Sequence, residues 1–138
     1  MVIFPAGYGG RKADQFVQLL VQNGVHTIVD VRLRPDRASM GIYVKAKSPK
    51  KGIKILLATD NIGYVSRPEL GNLFLEFEDW QEKYQQLMDK VGDPLIQRLD
   101  GLPEPSCLMC AERSANDCHR EQIADYLAVK GYEFKHLE

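Results

Sequence analysis

Three cysteines, one tryptophan and no surplus of charge mark this 138-residue chain, in which 18 Lys and Arg face 19 Asp and Glu. Each scarcity excludes something. A net charge of −1 and a pI near 6.3 give no global basic field to draw nucleic acid, although a local patch stays open. No stretch approaches the roughly 18 apolar residues of a membrane span, so no membrane partner is expected. The opening Met1-Val2-Ile3-Phe4-Pro5 has no charged leader, and its apolar run stops at Pro5, so neither a signal nor a transit peptide is expected. Three is an odd number of cysteines, in a chain long enough to bury a core without staples, so reduced thiols and a cytoplasmic setting are expected. Internal repeats and low-complexity tracts are also missing.

What is present is an alternation of short apolar runs and helical stripes. Val2–Pro5 predicts a first strand, ending in the flexible turn Gly7-Tyr8-Gly9-Gly10. Asp14–Asn23 predicts a helix with Phe16, Leu19 and Leu20 on one face, stopped at Gly24. Thr27–Val31 is β-branched and nearly all apolar, the pattern of a strand covered on both faces. Residues 36–52 predict an irregular surface loop. Ile53–Asp60 predicts a helix, Ile62–Ser66 a short strand and Phe77–Val91 a long helix, with a separate short helix opened by Asp93 and Pro94. Cys107–Ala111 predicts a buried strand, Cys118–Lys130 a helix capped by Asp117 and stopped by Gly131, and Tyr132–Leu137 a closing strand. The expected architecture is α/β: one domain over residues 1–138, a mainly parallel sheet with helices on both faces, a Rossmann-like three-layer arrangement.

In such sheets ligands bind at the carboxyl ends of the strands. Three loops then matter: Gly7–Arg11, Arg32–Arg37 and Cys110–Cys118. In the last, a strand end is followed by the start of a helix, where unpaired N–H groups and a partial positive charge welcome an anion. Arg120 adds a fork of donors suited to phosphate or carboxylate. A thiol placed there has its thiolate stabilised. Cys110 and Cys118 are therefore nucleophile candidates, and Glu112 and His119 acid/base candidates. The plain alternative makes Cys118 a small buried residue and Arg120 half of a salt bridge.

Cys107-x-x-Cys110 with Cys118-His119 also offers four soft ligands for zinc. Against this, an odd spacing on a strand sends Cys107 and Cys110 to opposite faces. Asp30, inside an apolar run, costs several kcal/mol, on the order of a lost buried hydrogen bond or more, unless it is paired. Arg32 or Arg120 is its expected partner, and alternation puts Asp30 and Arg32 on one side. Tyr8 and Arg11 flank the first glycine turn, which is neither a dinucleotide fingerprint nor a phosphate loop. From Arg32 to Lys54, eight cations (Arg32, Arg34, Arg37, Lys45, Lys47, Lys50, Lys51 and Lys54) stand against Asp36 alone. A solvated loop is the ordinary account; phosphate steering is the functional one.

Four stretches, in order along the chain, carry a resemblance to the domain of unknown function 488 family: Gly7-Tyr8-Gly9-Gly10-Arg11; Val29-Asp30-Val31-Arg32; Ile62-Gly63-Tyr64 with Pro68-Glu69-Leu70-Gly71; and Leu108-Met109-Cys110-Ala111-Glu112 with Cys118-His119-Arg120. The resemblance implies a compact α/β fold and one cluster of Asp30, Arg32, Cys110, Glu112, Cys118, His119 and Arg120. It also implies an ordinary apolar strand position at Cys107, which removes one zinc ligand, and it brings no assigned reaction. The segment 38–52 departs from the family's aromatic-rich run.

The expected function is an enzyme acting on an anionic, phosphate-bearing substrate, a nucleotide or nucleic-acid end. Cys110, Glu112, Cys118 and His119 are its catalytic candidates, and Asp30, Arg32, Arg120, Tyr8 and Arg11 its binding candidates. No metal ligand set and no particular cofactor are assigned. The alternatives are a non-catalytic module that binds nucleic acid or protein through the basic loop 32–54, and a zinc-binding domain.

Overall fold

Among the described residues the β-branched and apolar runs become five strands, all parallel, in the order β3-β2-β4-β1-β5. These are β1 (Val2–Gly7), β2 (Thr27–Asp30), β3 (Gly63–Ser66), β4 (Ser106–Cys110) and β5 (Glu133–Phe134). The helices are α1 (Ala13–Gln22), α2 (Gly52–Ala58), α3 (Trp80–Ile96) and α4 (Arg120–Val129). This computed structural model describes residues 2–9, 11–33, 41–43, 45, 52–58, 60–74, 77–97, 105–110 and 119–137. Among the described residues no helix is long and apolar enough to cross a membrane.

Chain direction sets the layers. From β1 to β2 to β3 the chain moves one way along the sheet, and from β3 to β4 to β5 it moves back. Right-handed crossovers then put α1 and α2 on one face and α3 and α4 on the other. The core divides accordingly. Phe16, Leu20, Ile53 and Leu57 pack with Ile28, Cys107 and Met109 on the first face. Tyr84, Met88, Ile123 and Leu127 pack with Val29, Leu108 and Cys110 on the second. Each fully buried Leu or Ile contributes about 1.5–3 kcal/mol through area removed from water.

The predicted strands and helices are present, with shifted ends. The first strand runs on from Pro5 to Gly7. The last is only two residues long, followed by a bridge between Ala6 and Leu137. Gly24 and Gly131 leave their helices with φ of +68° and +94°, the left-handed geometry that makes glycine the stop residue. The two helices expected on either side of Gly92 are both present, joined end to end across the non-helical residue Val91 (φ −132°, ψ 18°) within α3. Pro94 then lies in the first turn of the second helix, where its missing N–H removes no helical hydrogen bond. Asp117, Cys118 and most of the loop 36–52 lie outside the described residues.

Gly71 is required for space rather than for its dihedrals. A Cβ there would sit 2.7 Å from Leu33 Cα and 2.8 Å from the Pro68 carbonyl oxygen. Because both are backbone atoms, neither can rotate away. Gly71→Ala is expected to destabilise the fold by roughly 1–3 kcal/mol, the usual cost of overpacking, measurable as a lower urea midpoint at an unchanged slope.

Candidate functional site

The strand order creates a switch point. The connections leaving β1 and β2 pass to one face, while the one leaving β4, which lies between them, passes to the other. A crevice thus opens on each side of the carboxyl end of β4, where doubly wound sheets bind ligands. The register puts Gly7 beside Cys110, and Asp30 beside both Met109 and Ser66.

On the α1/α2 side the polar groups form one network. Asp30, fully buried, is gripped by Arg32: Nε donates to Oδ1 at 2.9 Å and Nη2 to Oδ2 at 2.7 Å. The Arg32 backbone N–H donates to the same Oδ1 at 3.0 Å, and the Tyr64 hydroxyl donates to Oδ2. Arg32 Nη1 donates to the Tyr8 hydroxyl at 3.1 Å. Tyr8 stacks on Tyr43 with centroids 4.0 Å apart. Burial works against the Arg32 charge, but the hydrogen bonds and charge of Asp30 overcome it and hold the guanidinium protonated. Burial and the neighbouring Asp30 carboxylate push the Tyr64 hydroxyl up, so it stays a donor. Arg11 turns its Nε back onto the Gly7 carbonyl at 3.0 Å.

On the α3/α4 side, Cys110 ends β4 with its side chain in the core, and Arg120 opens α4 fully buried. Arg120 Nη1 lies 2.9 Å from Cys110 Sγ. His119 Nε2 donates to the Val31 carbonyl at 2.9 Å, its ring edge-on to Tyr84. Burial pushes the imidazole down to about 4, outweighing the Val31 carbonyl; the Arg120 charge adds to the lowering, and the Leu70 carbonyl opposes it. His119 is therefore neutral near pH 7. Tyr84 donates to the Leu70 carbonyl at 2.7 Å.

These positions refine the reading of the sequence. Asp30 takes Arg32 as its partner, on the expected same side. The single cluster divides: Asp30, Arg32 and Tyr8 lie on one face of the sheet, while Cys110 and Arg120 lie on the other. Strand alternation causes this, because Val29 and Val31 supply the second face and Asp30 the first. Arg32 leaves the basic loop for a buried ion pair; Lys45 is exposed, Lys54 is half-buried, and Arg34, Arg37, Lys47, Lys50 and Lys51 lie outside the described residues. Reduced thiols were expected throughout, but Cys110 is disulfide-bonded, whereas Cys107 is free and buried on the opposite face. Cys107 and Cys110 thus cannot share a zinc ion. Burial pushes the Cys107 thiol up, so it stays protonated core. Glu112 and Cys118 lie outside the described residues.

Some groups at this rim escaped the sequence reading. In the sequence Tyr64 is legible only as part of a motif, and nothing marks Tyr43. Ser66 Oγ, Asn72 Nδ2 and Gln122 Oε1 are buried with no hydrogen-bond partner among the described residues. Single polar residues in loops and helix starts have no periodic signature that would have singled them out.

A three-layer, all-parallel α/β domain with polar side chains gathered at its switch point is the class that fold and site define. Within that class the match is specific. The model of the family described as domain of unknown function DUF488 covers residues 12–127, and the chain belongs to that family. No curated protein and no solved structure matches the chain.

Proposed function

We propose that the chain is an enzyme acting on an anionic, phosphate-bearing substrate at the carboxyl ends of β1, β2 and β4. The observation that carries this reading is the contact between Arg120 and Cys110. A wholly buried guanidinium is placed against sulfur at the end of the central strand, where the connections diverge. Ordinary packing does not call for that pairing. Once an external dithiol reductant has opened the disulfide by thiol–disulfide exchange, becoming oxidised itself, the arginine charge favours the Cys110 thiolate, the nucleophilic form. The start of α4 supplies a partial positive charge for the substrate's anionic group.

In this reading the thiolate of Cys110 or Cys118 attacks the phosphorus as the bond to the ester oxygen breaks, Glu112 protonates that leaving oxygen, and water then releases phosphate from the cysteine. His119, held neutral, orients the start of α4 by its bond to Val31 rather than carrying charge. The Asp30–Arg32–Tyr8 network shapes the adjoining crevice, with Arg11 at its edge. Substrate class and chemistry both rest on the residues at these strand ends.

Thiol reactivity tests the proposal. In reduced protein, Cys110 is expected to react with iodoacetamide well below the pH at which an ordinary cysteine does, and Arg120→Met to return the profile to the ordinary range. A Cys110 that titrates like free cysteine, together with Cys110→Ser and Cys118→Ser variants that handle phosphate-bearing ligands normally, would rule out covalent catalysis.

A further inference from the structure

Asn72 stands out among the polar groups near the start of α4. The residue is only 7% exposed, and its Nδ2 is buried without a hydrogen-bond partner among the described residues. The orientation of the amide is fixed by chemistry: the Phe74 backbone N–H donates to Oδ1 at 2.9 Å, so the oxygen must face that N–H and the NH2 group must point away. A buried donor left unmade is expensive, and native proteins keep such groups where something else completes them.

Its surroundings say what that is. The segment Leu70–Asn72 is wedged over the end of β2 and the start of α4. Gly71 packs on Leu33, and the Leu70 carbonyl borders the His119 ring, one residue before α4 begins. Asn72 closes this segment, two residues from the carbonyl that borders His119. A ten-residue helix presents its positive end there, and Arg120 adds charge. A donor with no acceptor among the described residues, close to a helix start, suits an oxyanion.

We propose that the Asn72 side-chain amide is a binding group for the substrate's anionic oxygen, acting with the first turn of α4. This deepens, and rests on, the reading of the site given above. It assigns the substrate's phosphoryl group, rather than its sugar or base, to the β2/β4 crevice.

The probe is inorganic phosphate, titrated at constant ionic strength against chloride while the unfolding temperature is followed; a ligand that binds the native state raises it. Wild-type protein is expected to show a saturating rise. Asn72→Ala is expected to weaken the apparent phosphate affinity about tenfold, the usual scale for one buried hydrogen bond to a charged group. Asn72→Ser keeps a short side-chain acceptor for the Phe74 N–H and so preserves the turn, but it lacks the NH2 arm of the amide. It should lose affinity to the same extent. If both variants keep wild-type affinity within twofold, Asn72 is not a ligand group, and the site reading stands without it. If wild-type protein shows no rise beyond the chloride control, the anion site itself is wrong, and this inference falls with it.

Discussion

Asp30→Ala is expected to destabilise the protein by about 3–5 kcal/mol, the cost of leaving a buried arginine without its counter-charge. Arg32 is held in place by two side-chain bonds to Asp30 and one to Tyr8, with the guanidinium almost wholly out of water. Removing the carboxylate strands that charge and also deprives the Tyr64 hydroxyl of its acceptor. The double variant Asp30→Ala/Arg32→Met should recover much of the loss, because replacing both partners removes the unpaired charge as well as the attraction. Urea unfolding of the wild type, both single variants and the double variant completes the cycle. Additive single losses would show that the pair is not coupled. A small loss in Asp30→Ala alone would mean that water reaches Arg32 and the network is not buried in solution.

The second large effect is one of pH. His119 has its native value pushed down to about 4 by burial, against 6.5 for a free imidazole. Between those limits the unfolded chain binds a proton that the native state refuses. Stability is then fully present above pH 6.5 and is lost as pH falls toward 4. The 2.5-unit gap corresponds to about 3 kcal/mol at most, on the scale of 1.36 kcal/mol per unit. Carboxylates add their own acid sensitivity, so the comparison must be made against a variant. His119→Gln keeps a donor for the Val31 carbonyl and cannot titrate. Its stability should fall less steeply between pH 6.5 and 4, narrowing its gap to wild type by about 3 kcal/mol. Parallel curves for the two proteins would show that His119 is charged or exposed in the native state.

The sequence disclosed the fold more fully than the site, for physical reasons. Thr27–Asp30 and Ser106–Cys110, covered on both faces, announce themselves through the apolar runs at their centres, Ile28-Val29 and Cys107-Leu108-Met109. Helices such as α1 do so through the spacing of Phe16 and Leu20. The site residues were found by their chemistry, since charges within apolar runs are costly enough to be noticed. What sequence could not give was their grouping. Whether Asp30 meets Arg32 or Arg120 depends on which face each strand residue takes and on the order of strands in the sheet, and the latter is a long-range property. Asn72 went unnoticed for a different reason: an asparagine in a turn is commonplace, and only burial of its amide makes it unusual.

The position of β1 has a consequence for how the chain is born. Both neighbours of the first strand, β4 and β5, come from the far end of the chain, so that Ile3 lies beside Ser106 and Phe134. Until β4 and β5 have left the ribosome, β1 has neither of its neighbours, and β2 can hydrogen-bond only to β3. Contacts of such long sequence separation slow folding and prolong the exposure of apolar strands. Closure of the sheet thus waits for β4 and β5, and until they are made β1 stays an unpaired apolar strand of the kind that chaperones bind. The same last-arriving segment delivers Cys110, His119 and Arg120, so the sheet is closed and the candidate site is completed by one event.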